Sequence, residues 1–257
     1  MKRVAEAAGR PARLGLSVLG LFIMLAAWEA GARDLAGIAV ASPAQTWEAL
    51  FRLVGQGEFL RDHLAVSLGR VVAGLGAGVI LGAACGVLAG AQPALRWLLA
   101  PMRWALTSVP GVVVVMIAML WLGMGDAMAV FIVAAMTTPV IYVSVSESLS
   151  GVDPDLLEMA RLFRLPPLSR LWNLYAMAMA GPLLSGAILA LGGAIRVVVL
   201  AEALGANQGL GHRLALARTN LDASELYALA LLCMGVVGVV ELAILGPVRR
   251  KLLRRGQ

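Results

Sequence analysis

Six ionisable side chains stand within or beside long apolar stretches: Arg70, Arg103, Asp126, Arg196, Glu202 and Glu241. A charge in a hydrocarbon setting is costly, so such groups are kept where they pair, line a wet path or move an ion. Arg70 and Asp126 fall near the ends of their stretches, where a side chain can reach the polar boundary. Glu241 is close enough to the basic tail to pair with it. Arg196 and Glu202 lie deepest and are the candidates for pairing or gating. These carboxylates form no continuous chain, which disfavours proton-driven transport. His63 and His212 are isolated and read as solvated residues. Cys85 and Cys233 lie inside apolar blocks and read as small packing residues, with no disulfide or metal pattern.

Recognition chemistry concentrates in Gly151-Val-Asp-Pro-Asp-Leu-Leu-Glu-Met-Ala-Arg161. Asp153 can cap a helix, and Pro154 suits its first position, where no N–H is needed. Leu156, Met159, Ala160 and Phe163 then share one stripe, with Asp155, Glu158 and Arg161 off it. Pro166-Pro167 ends the helix. Such a helix is either a connector packed on its own protein or a docking element for a partner. The sequence has no G-x-x-x-x-G-K-[ST] loop, H-E-x-x-H, G-x-S-x-G or C-x-x-C. If ATP drives this protein, another polypeptide binds it.

The elements that must position these residues are membrane helices. Of 257 residues 60% are hydrophobic and only 14% charged, with a mean hydropathy of +0.87. That composition belongs to a polytopic membrane protein. The net charge of +6 clusters at the ends of apolar blocks, which argues against nucleic acid as a partner. A bilayer core of ~30 Å needs about 20 apolar residues, and six spans are expected: 14–32, 65–91, 98–122, 126–146, 178–204 and 226–247. The first follows Lys2, Arg3, Arg10 and Arg13 but is long for a secretory signal, so it reads as a retained helix. Positive residues in the N-terminus, in the 147–177 loop and at Arg249, Arg250, Lys251, Arg254 and Arg255 place these three segments in the cytoplasm. Gly192-Gly193 makes the fifth span the one expected to be interrupted.

Gly74, Gly78, Gly82, Gly86 and Gly90 recur every four residues in the second span. Small residues at that spacing form a groove into which another backbone packs. Pro110 and Pro139 fall inside the third and fourth spans and free backbone carbonyls there. That suits either simple kinks or a translocation path.

Together these residues resemble the permease subunit of bacterial ABC importers of the nitrate/sulfonate/taurine type, from about Ser67 to the C-terminus. The ordered landmarks are Ser67-Leu-Gly-Arg70 with Gly74, Pro101, Ser108-Val-Pro110, Leu122-Gly-Met-Gly125, the EAA-like loop at 151–160, and Ala201-Glu202 followed by Gly209-Leu-Gly211. The resemblance implies two permease subunits, a homodimer or a pair of paralogues, that form the pathway. It implies a cytoplasmic ABC ATPase dimer that holds the ATP and Mg, a periplasmic or lipid-anchored substrate-binding protein, and no cofactor in this chain. Closure of the ATPase dimer would draw the coupling helices together and switch the pathway from inward- to outward-facing. Three positions depart from the family loop: Arg164 where glycine is usual, Ala176-Met177 where a leucine-proline pair is usual, and Gly181-Pro182 in place of proline-glycine.

The resulting expectation is an all-α polytopic protein of about six transmembrane helices with a cytoplasmic coupling helix, in the bacterial inner membrane, both termini cytoplasmic. It forms one permease domain over 1–257: first span and outer loop 1–64, core 65–247, basic tail 248–257. It is not itself an enzyme. Asp153, Asp155, Glu158, Ala160, Arg161 and Arg164 are expected at the ATPase contact, with Leu156, Met159 and Phe163 packing the coupling helix. Pro110, Pro139, Arg196 and Glu202 are the pathway or gating candidates. A gradient-driven secondary transporter and a non-transporting assembly subunit are the competing readings.

Overall fold

A computed structural model describes residues 10–34, 40–152, 155, 158, 159, 162, 163, 166, 175–240 and 242. The helices are α1 (Arg10–Asp34), α2 (Pro43–Gly55), α3 (Ala65–Ala91), α4 (Pro93–Ser108), α5 (Gly111–Leu122), α6 (Asp126–Ser150), α7 (Ala176–Gly205), α8 (Leu210–Thr219) and α9 (Ala223–Val240). Helical turns at Gly57–Phe59 and Leu60–Leu64 lead into α3 without a break. No strand occurs among the described residues. Five stretches are long and apolar enough to cross a membrane: Gly15–Arg33, Gly57–Gly90, Asp126–Ser150, Met179–Gly205 and Ala223–Val240.

Two expectations are corrected. The third span is not one helix: α4 and α5 are separated by extended backbone at Val109 (ψ 128°) and Pro110 (ψ 136°). Proline's ring disfavours the helical region for the residue before it, so α4 ends at Val109, and Pro110 caps the start of α5 rather than kinking a helix interior. At 1.5 Å per residue the pieces are roughly 24 and 18 Å long, each short of a ~30 Å bilayer core. The fifth span, by contrast, is unbroken. α7 runs 30 residues through Pro182, Gly192 and Gly193. A lipid-facing backbone finds no other hydrogen-bond partners, so helix continuity outweighs a glycine cost of about 1 kcal/mol each.

Close contacts divide the chain into two units, residues 1–57 with 216–232, and residues 58–215 with 233–257. In the first, the Trp28 indole N–H donates to the Ala41 carbonyl at 2.9 Å. Its ring stacks on Tyr227 at 5.7 Å between centroids. α2 is set by a capping box: the Gln45 N–H donates to the Ser42 hydroxyl, the Ser42 N–H donates to the Gln45 side chain, and Pro43 sits at the first helical position. α1 is apolar all round and exposes Leu16, Leu19, Phe22, Ile23 and Met24, as a helix facing lipid does.

In the second unit, α3 and α6 form the most extensive helix pair, and α7 lies against both. The glycine row of α3 faces the row Val133, Thr137, Ile141, Val145 and Leu149 on α6, also spaced by four. A methyl group added at Gly82 would come 2.6 Å from the Thr138 carbonyl oxygen and 2.7 Å from Ile141 Cβ. The neighbour that fills the glycine groove is thus a helix of the same chain. Met128, Ile132, Val133, Ile195 and Val198 form the core at one end, Ile141, Val145 and Leu149 at the other.

Candidate functional site

Ser67 and Arg70 lie three residues apart on one face of α3, and that face meets the start of α6 and the end of α7. All three helices contribute to a buried polar cluster. Arg70 is 5% exposed and Glu202 1%. Arg70 Nη1 donates to Glu202 Oε1 at 2.7 Å and to the Gln208 carbonyl at 2.8 Å. Its Nε donates to Asp126 Oδ1 at 2.8 Å, and Nη2 reaches the same oxygen. Glu202 also accepts from the Ser67 hydroxyl (2.7 Å to Oε2) and from the Gly211 N–H (3.0 Å). Ser67 Oγ in turn accepts from the Leu210 N–H at 2.8 Å.

The turn between α7 and α8 is held by this cluster. Gly209 has φ +107°, and a side chain there would run into the Glu202 carboxylate. Its N–H donates to His63 Nδ1 at 3.1 Å, so the imidazole carries no proton on that nitrogen. His63 and His212 lie ring on ring at 6.4 Å. A second pin joins the Gly125 N–H to the Gly205 carbonyl at 2.9 Å, and it relies on the positive φ of Gly123 and Gly125 (+72° and +124°).

The buried part of the cluster is Ser67, Arg70 and Glu202, whose donors and acceptors meet one another, which is the condition for a charge pair to be tolerated in a low-dielectric interior. The Asp126 side chain is 79% exposed and closes the cluster's outer side through Oδ1. The cluster clamps the α7–α8 turn onto α3. Among the described residues no group of three His, Cys, Asp or Glu side chains could hold a metal.

Several sequence-level placements change. Arg70 turns inward instead of reaching for the boundary, because Glu202, Asp126 and the Gln208 carbonyl occupy its donors. His63 is half-buried and bonded, not solvated. Arg196 does not pair with Glu202. Six residues put them roughly 120° apart around the helix, and Arg196 instead borders a pocket of about 480 Å³ with Cys233 and Met234. Both cysteines are free and half-buried. Pro139 stays inside α6, where the Thr138 hydroxyl donates back to the Ala134 carbonyl at 2.7 Å. Ser67 and His63 had not been singled out as site residues. The Ser-x-x-Arg spacing, one helix face with a hydroxyl beside a guanidinium, was the signal for the first.

At the other end of α6 the chain enters the amphipathic segment. Asp153, Leu156, Ala160, Arg161, Arg164 and Glu241 lie outside the described residues. Of those described, Asp155 and Glu158 are exposed, and the Phe163 N–H donates to the Met159 carbonyl at 3.0 Å, one helical turn. Met159, Leu162 and Phe163 are 46%, 76% and 74% exposed. Three large apolar side chains in succession on open surface are a feature of contact sites.

The family model of binding-protein-dependent transport system inner membrane components matches residues 77–253. A Bacillus subtilis (strain 168) protein carrying the name aliphatic sulfonates transport permease protein SsuC is 28% identical over 79% of this chain and 72% of its own length. The taurine transport system permease protein TauC of Escherichia coli (strain K12) is 24% identical over 93% of this chain and 87% of its own. Among solved structures, an inward-facing conformation of the MetNI methionine ABC transporter superposes with a TM-score of 0.65 at 17% identity. It covers 81% of this chain and 98% of the matched one.

Proposed function

We infer the role of this chain from one premise: it belongs to the family of binding-protein-dependent transport system inner membrane components. It is the permease subunit of an ATP-driven ABC importer, a transport protein and not an enzyme. Its solute is a small sulfonate of the aliphatic or taurine type, the class named for the relatives that match along most of its length. ATP and Mg are bound and ATP hydrolysed in a separate cytoplasmic ATPase dimer. A second permease, either another copy or a paralogue, completes the pathway, and a periplasmic or lipid-anchored binding protein delivers the solute. Both termini face the cytoplasm, in line with the basic residues at either end.

The observation that carries the coupling is the exposed turn at Met159, Leu162 and Phe163, in the loop that follows α6 and near Asp155 and Glu158 in sequence. An apolar face with an acidic rim docks into a groove on a soluble partner, as amphipathic helices do. α6 is also the helix against which both α3 and α7 pack. A pull on its end therefore moves the core as a rigid body, the usual form of such switches. The Arg70–Glu202–Asp126 cluster serves as the fixed point at the far end. Arg196 is exposed, has no ion pair among the described residues and borders a pocket, so it is the basic group offered to an anionic solute.

Glu158→Lys is the direct test. The variant is expected to insert normally, with the yield and melting temperature of the parent. In proteoliposomes it is expected to lose at least tenfold in both uptake and solute-stimulated ATP hydrolysis. Coupled transport at the parental rate would overturn the placement of the ATPase contact at this segment.

A further inference from the structure

Arg96 and Arg103 on α4 and Glu147 on α6 line one cavity of about 370 Å³, together with Tyr142 and Ser146. The two arginines are seven residues apart, two helical turns, and so share a face. Tyr142 and Ser146 are likewise one turn apart on α6. Among the described residues, no ion pair joins any of the three charged groups to another. Among the described residues Arg96 donates to the Ser150 hydroxyl at 3.3 Å. Tyr142 is 6% exposed, and it lines the cavity. The Ser146 hydroxyl donates to the Val143 carbonyl at 3.3 Å, leaving its lone pairs for a donor.

Two guanidinium groups and a phenol offer many N–H and O–H donors, the natural complement of a tetrahedral oxyanion. A plain anion would meet the unpaired Glu147 carboxylate in the same space, and that repulsion selects against it. A short zwitterion meets both charges with their opposites. The volume, that of roughly a dozen waters, holds such a solute with part of its hydration.

We propose that this cavity binds a 2-aminoethyl oxyanion, with the sulfonate or phosphate on Arg96, Arg103 and Tyr142 and the ammonium on Glu147. Two sources present that chemistry: taurine as a free solute, and the headgroup of phosphatidylethanolamine. For the free solute the inference rests on the importer reading above. It assigns the site to the end of α6 from which the coupling segment leaves, on the exit side of the pathway.

Equilibrium binding of radiolabelled taurine tests it, with the permease and its ATPase in nanodiscs of phosphatidylglycerol alone. Saturable binding is expected, with isethionate, which has a hydroxyl in place of the ammonium, competing at least tenfold less well. Glu147→Gln is expected to abolish that discrimination, and Arg103→Gln to weaken both ligands at least tenfold. Discs containing phosphatidylethanolamine separate the sources: unchanged taurine binding assigns the cavity to the solute, displacement assigns it to the lipid. Absence of saturable binding, or equal competition by isethionate that Glu147→Gln does not alter, overturns the proposal. Uptake in proteoliposomes reads the importer separately. Charge-dependent binding without ATP-driven uptake would leave the site standing and sink the importer. ATP-driven uptake without binding here would do the reverse.

Discussion

Arg70→Met is expected to destabilise the protein by about 3–5 kcal/mol, because it leaves a buried carboxylate without its counter-charge. Glu202 is 1% exposed, and among the described residues its one ion pair is with Arg70 at 2.7 Å. With the guanidinium gone, Ser67 and the Gly211 N–H remain as donors, too few to hold an ionised group in a dry site. The Gln208 carbonyl loses its donor as well, so the α7–α8 turn is released. Thermal unfolding of the purified variant in detergent should show the loss, with limited proteolysis localising it near 206–211. The double variant Arg70→Met with Glu202→Leu removes both charges and should recover much of the stability, as apolar replacements of buried ion pairs do. A single variant as stable as the parent would show that Glu202 is not held as a paired charge.

Gly82→Leu is expected to prevent assembly of the core. The added side chain would meet the Thr138 carbonyl oxygen and Ile141 Cβ, atoms fixed by the backbone of α6, so no rotamer change relieves the contact. Overpacking of a rigid core costs about 1–3 kcal/mol and more where backbone must move, and here the main helix pair must separate. Gly76→Leu is the control. It lies on the same helix with nothing within 4 Å of an added methyl, and a change there should stay within about 0.5 kcal/mol, the range of an exposed position. Comparable folded yield for the two variants would overturn the account of α3–α6 packing.

The glycine row was legible because it writes its partner's requirement into a local period. Every fourth position small calls for a close helix neighbour. The Arg70–Glu202 pair was not legible. Its members are 132 residues apart, and each reads locally as one more charge near a span end. Arg196 drew the pairing hypothesis only by proximity in sequence, which helix geometry then defeats.

The break at Val109–Pro110 and the α2 helix belong to a third kind, where a local signal stands in the sequence that hydropathy does not read. Ser108-Val-Pro-Gly111 places a residue before proline and a glycine after it, two reasons to leave the helix. Ser42-Pro-Ala-Gln45 is a complete capping signature. Hydropathy alone spans the first and passes over the second, since neither feature changes the mean apolarity of its window.

Affinity purification of this chain from its native membranes, with identification of what accompanies it, tests the importer assignment most directly. A soluble ABC ATPase in stoichiometric amount, lost on Glu158→Lys while the permease itself is retained, is the expected result. Purification under equally gentle conditions with no ATPase, together with uptake that persists on an ion gradient without ATP, would contradict it.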